Sequence, residues 1–95
     1  MITTEKEHRE VQSRIFLNVV TLDAKDLYRE KEKQYSDSWR DMSGLDILNR
    51  LKEEYNELEL DITFGFTESS YKECLDVINV ATMLAHKIKE ETDKK

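Results

Sequence analysis

The chain reads as all-α, and three observations say so. Its 95 residues include no proline and only two glycines, which leaves few breakers or tight turns for a sheet to use. Glu, Lys and Leu are abundant, and 38% of the residues are charged. Apolar residues recur at helical spacing in three segments separated by polar or Gly-containing breaks. The architecture expected is an antiparallel bundle of three to four helices forming a single domain over residues 1–95, with 1–4 and 91–95 frayed. A domain of this length buries only about 60–65% of the surface its unfolded chain exposes, so its own core is marginal.

Thr3 and Thr4 are caps for a first helix starting near Glu5. Val11, Ile15, Val19 and Leu22 follow its period, with Phe16, Val20 and Leu27 beside them. The charged stretch Arg29 to Lys33 ends that helix or carries it into solvent. Tyr35-Ser-Asp-Ser-Trp39 then forms a polar connector with two aromatics. Ser43-Gly-Leu-Asp46 has the form of a capping box and starts a second helix near Gly44. Ile47, Leu48, Leu51, Tyr55 and Leu58 make its apolar stripe.

Asp61 to Ser69, with Gly65 between Phe64 and Phe66, reads as a short loop; core or dimer packing is expected of both phenylalanines. The last helix, near Ser70 to Glu90, is apolar on most sides: Tyr71, Cys74, Leu75, Val77, Ile78, Ala81, Leu84, Ala85 and Ile88. That is more apolar circumference than two short neighbours can cover, which predicts a homo-oligomer, a dimer or a tetramer.

The formal charge of −6 argues against a nucleic-acid polymer as partner, since phosphate backbones need a basic face. One cysteine, Cys74, excludes an internal disulfide and a Cys-based zinc site, and its place on the apolar arc predicts inert packing. No apolar run approaches the roughly 20 residues of a membrane span, and the N-terminus has no apolar signal core. A soluble, cytoplasmic protein without a membrane partner is expected.

The chemistry concentrates in two acidic pairs, Glu54/Glu57 and Glu73/Asp76. Residues three apart share a helix face, so each pair aims two carboxylates at one point. If the two helices pack antiparallel, four carboxylates converge. Such a cluster repels itself unless a cation fills it, and hard carboxylate oxygens select Mg²⁺, with Mn²⁺ as a substitute. The alternative is that these acids form salt bridges with Arg50, Lys72 or Lys87.

Glu53-Glu54-Tyr55-Asn56-Glu57 followed by Glu73-Cys74-Leu75-Asp76 resembles the E-x-x-E and E-x-x-D motifs of the MazG-like all-α nucleoside triphosphate pyrophosphohydrolases. Tyr35-Ser36-Asp37-Ser38-Trp39 is similar to the Y-G-D-S-W segment of a phage and prokaryotic branch, with Ser36 in place of the glycine. The likeness covers roughly residues 28 to 88. It implies Mg²⁺-dependent cleavage of a nucleoside triphosphate to monophosphate and pyrophosphate, in nucleotide-pool sanitation or nucleotide metabolism, within an oligomeric bundle. Carried over, Glu54, Glu57, Glu73 and Asp76 are metal ligands, and Glu53, Glu54 or Glu57 takes the proton of the attacking water. Asn79 hydrogen-bonds ribose or phosphate, Arg50 and Lys87 offset phosphate charge, and Tyr35 and Trp39 stack the base.

Each aromatic also has a packing role open to it: a lone Trp in a small helical protein commonly anchors a core. His8 and His86 lack a partner pattern and are expected at the surface or its boundary. The function class that competes with the enzyme is a non-catalytic helical oligomer that binds a partner, or a nucleotide sensor.

Overall fold

A computed structural model describes residues 4–35, 38–65 and 68–94, with the side chains of residues 34 and 35 left out. Three α-helices account for most of them: α1 (Glu5–Tyr35), α2 (Gly44–Thr63) and α3 (Glu68–Asp93), with a 3₁₀ turn at Ser38–Asp41 between the first two. Among the described residues there are no strands, so the chain is all-α.

Local chemistry sets the helix ends. Thr4 Oγ1 accepts from the Glu7 amide at 3.1 Å, which satisfies a donor the first turn of α1 would leave open. Ser43, in extended conformation, does the same for the Asp46 amide at 3.1 Å and starts α2 at Gly44. At the other end of α2 the Phe64 amide reaches the Leu60 carbonyl and the Gly65 amide the Ile62 carbonyl. Gly65 then turns at φ +119°, a conformation that strains any residue with a β-carbon. Asp61, expected in the loop, is therefore the third-last residue of the helix.

α2 and α3 run in opposite directions side by side. Ser69 Oγ donates to Asp61 Oδ2, Glu57 lies beside Glu73, and Arg50 shares a cleft with Asn79 and Met83. Ile47, 1% exposed, is the best-buried large side chain on α2, and Leu75 and Val80 are buried on α3. Burial of such a side chain contributes about 1.5–3 kcal/mol, so these few residues carry much of the fold.

α1 joins this pair through its C-terminal half. Ala24 and Leu27 are buried against Leu75, with Val20 and Ile78 packed around them. The small Ala24 lets α3 come close enough for Asn79 Nδ2 to donate to the Ala24 carbonyl at 3.0 Å. Tyr71 Oη donates to Asp23 across the same junction, and that bond to an anion raises the phenol's pKa.

The charged stretch Arg29 to Lys33 does not end α1. The helix runs on to Tyr35, and Lys31 is drawn inward. Two other expectations change. Cys74 is exposed rather than packed, because α3 turns Leu75 and Val80 inward and leaves position 74 outside. Phe64 is 86% exposed and lies outside the core; Phe66 lies outside the described residues. No described helix is long and apolar enough to cross a membrane.

Candidate metal centre and adjoining trough

Antiparallel pairing of α2 and α3 brings three carboxylates together. One oxygen each of Glu54, Glu57 and Glu73 lies within 4.8 Å of the other two. Glu54 and Glu57 are three residues apart on α2 and so share a face, while Glu73 enters from α3. Glu57 is exposed; Glu54 and Glu73 are half-buried. Glu53 is on the exposed part of α2.

The electrostatics are those of crowded like charges. Burial pushes the Glu73 carboxyl above its ordinary pKa, followed by the charge of Glu57, a hydrogen bond with Glu57, and the charges of Asp76 and Glu54. Burial likewise raises Glu54, with Asp76 and Glu57 adding to it and Lys31 and Arg50 opposing. Glu73 Oε2 is buried and has no hydrogen-bond partner among the described residues. Two ionised carboxylates offer no donor to each other, so a shared proton between Glu57 and Glu73, a water or a cation would satisfy it. An all-oxygen donor set of this kind fits a hard divalent cation such as Mg²⁺.

Asp76 stands one turn along α3 from Glu73, but its Oδ1 accepts from Lys31 Nζ at 2.5 Å. That pair, with side chains 35% and 11% exposed, ties α1 to the acidic face of α3. Asp76 and Glu54 line a narrow cleft of about 50 Å³ together with Tyr28, Lys31, Arg50 and Asn79. Fourfold convergence thus resolves into a triad and a fourth acid held by a lysine. Lys31 was legible in principle: it continues the line Val20, Ala24, Leu27 at helical spacing, which is the packed line of α1.

The cleft opens into a trough of about 510 Å³ between α1, the 3₁₀ turn and α3. Ligand sites of drug-sized molecules fall in the range of roughly 300–1,000 Å³, so the trough has the capacity the cleft lacks. Trp39 forms part of its wall. Its Nε1 donates to Tyr28 Oη at 3.0 Å, the His86 ring meets it edge-on at 5.8 Å, and the Arg40 guanidinium lies 4.9 Å from its centroid. Trp39 is half-buried, so it both anchors the turn and shows a surface to the trough.

Arg50 and Asn79 line the cleft, Asn79 facing the trough as well. Lys87 is elsewhere: its Nζ donates to the Arg40 carbonyl at 2.9 Å and secures the 3₁₀ turn. The side chain of Tyr35 lies outside the described residues, as do Ser36 and Asp37. His86, exposed as expected, adds a contact with Glu90 Oε1 at 2.8 Å. Tyr28 and Glu32, absent from the sequence-based set, border both cavities because they lie one helical turn apart on the inner side of α1.

Compared with known proteins, the chain matches no family model, no curated protein and no solved structure.

Proposed function

We propose that this protein is a Mg²⁺-dependent nucleoside triphosphate pyrophosphohydrolase acting in the cytoplasm, its helical bundle completed by association with further copies of itself. The observation that carries the reading is Glu73 Oε2, buried without a partner among three converging carboxylates that adjoin an aromatic-walled trough. The resemblance of the E-x-x-E and E-x-x-D segments to MazG-like enzymes supplies the reaction class.

Glu54, Glu57, Glu73 and Asp76 would hold the cation, Asp76 being the one paired with Lys31 in this structure. Mg²⁺, when bound, screens phosphate charge and acidifies water. The trough takes the nucleoside, with Trp39 offering a face to the base and Asn79 a polar contact to ribose or phosphate. Tyr35 precedes the same turn and belongs to the base site in this reading. Arg50 offsets phosphate charge at the cleft, and Lys87 holds the turn that carries Trp39.

Water attacks the phosphorus of the α–β anhydride, and the bridging P–O bond breaks. The water proton passes to a carboxylate, and nucleoside monophosphate and pyrophosphate leave. Glu54, set between triad and cleft, is best placed among Glu53, Glu54 and Glu57 to accept that proton.

A panel of nucleoside triphosphates with Mg²⁺, scored for pyrophosphate against orthophosphate, tests the reaction; pyrophosphate is expected, and orthophosphate alone or silence sinks it. Thermal melts test the site without turnover. A ligand at a hundredfold excess over its Kd stabilises the folded state by about 2.7 kcal/mol. Mg²⁺ is therefore expected to raise Tm over EDTA, and Glu73→Gln to abolish that gain while leaving the apo protein folded. An equal gain in the variant removes the triad from the metal site.

A further inference from the structure

Among the described residues, the N-terminal half of α1 is exposed from Thr4 to Val19, yet it is not polar. Val11, Ile15, Val19 and Leu22 are between 49% and 57% exposed. At about 100° per residue these four fall within roughly 80° of one another, on the side of α1 opposite Val20, Ala24 and Leu27. α1 therefore has two apolar stripes back to back: one is covered by α3, while the other is left about half exposed among the described residues. A helix apolar on two sides is built for the middle of an assembly.

We infer that the outer stripe of α1 pairs antiparallel with the same stripe of a second copy of this chain. The choice of occupant and direction comes from charge. Eighteen residues are five full turns, so Glu7 and Lys25 lie on one line beside the stripe, and His8 and Asp26 on another that closes its ends. Opposing two such helices head to tail about a centre near residue 17 sets Ile15 against Val19 of the second copy and Val11 against Leu22. The same register brings Glu7 to Lys25 and His8 to Asp26, each twice by symmetry.

Parallel pairing would instead stack Glu7 on Glu7 and Asp26 on Asp26. The paired stretch, residues 8–26, is about 27 Å long, enough for a multi-turn seam flanked by Phe16. The inference specifies the oligomeric part of the proposed function and does not depend on hydrolysis. It also moves the contact from α3, where the sequence suggested it, to α1.

Sedimentation equilibrium of the full chain tests it. The native protein is expected to dimerise, and Ile15→Glu/Leu22→Glu to raise the dimer dissociation constant at least a hundredfold with the helical circular dichroism kept. Glu7→Lys and Lys25→Glu should each weaken the dimer, and the double exchange should restore it. A native protein that is monomeric at all concentrations overturns oligomerisation itself. A dimer indifferent to the glutamate pair overturns this face, and a double exchange no tighter than either single overturns the antiparallel register. None of these readouts uses activity, so they stand apart from the test of the enzyme.

Discussion

Residues 44–93 and residues 5–19 are alike in local structure, since both are almost wholly helical and both carry regularly spaced apolar side chains. They differ in what those side chains meet. In the α2–α3 pair Ile47 is 1% exposed and Leu75 and Val80 are buried, whereas from Thr4 to Val19 every residue is exposed. Helical periodicity is thus a statement about a face, not about its partner. Where the partner belongs to the same chain it gives a core; where it does not, it gives a surface that must be covered from outside or left wet.

The two regions should differ most at Ile47. Ile47→Ala is expected to cost about 2–5 kcal/mol, read from the urea midpoint, because it opens a cavity in a site without slack. Ile15→Ala, measured where the protein is monomeric, should stay within about 0.5 kcal/mol of the native chain. Similar costs at the two positions would mean that the N-terminal half of α1 is packed within its own protomer.

A smaller effect is expected where the two regions are tied together. Lys31→Met leaves Asp76 without its ion-pair partner and should lower stability by about 1–3 kcal/mol, toward the low end because the lysine is one-third exposed. Adding Asp76→Asn should recover part of that loss. If the double variant is no more stable than Lys31→Met alone, the pair does not contribute through its charge.

The smallest effect belongs to the triad and depends on pH. Glu54 and Glu73 have folded-state pKa values raised above the ordinary 4.5, so the folded chain binds more protons than the unfolded one just above that value. Their contribution is most favourable below pH 4.5 and is lost as pH rises through the raised values. Glu73→Gln should therefore flatten the decline and leave Tm at pH 7 unchanged or up by no more than about 4 °C without metal. A lower Tm at pH 7 would show that Glu73 is a structural partner in the apo protein.

Much of this was legible residue by residue. Thr4 and Ser43 cap helices as their positions foretold, and Gly65 marks the turn between α2 and α3. Glu54, Glu57 and Glu73 meet because helical spacing and an antiparallel return bring them together. Asp76 was grouped with them by its spacing from Glu73 and by the E-x-x-D resemblance, whereas its pairing with Lys31, 45 residues away, has no local signal. The trough was hidden for the same reason: its walls come from α1, the 3₁₀ turn and α3, and no local pattern links Tyr28 to Trp39 and His86.

In chain order alone lay the three helices, the starts of α1 and α2, the two acidic pairs and the wide apolar stripe of α1. These depend on intervals of three, four or eighteen residues and on capping side chains within four positions, all of which are written in chain order. Only the tertiary structure decided which apolar side of α1 is buried, which acid Lys31 holds and where the trough opens. Those outcomes depend on how α1 meets α3 at Ala24, a contact between residues about 50 apart whose geometry is set by packing and not by spacing.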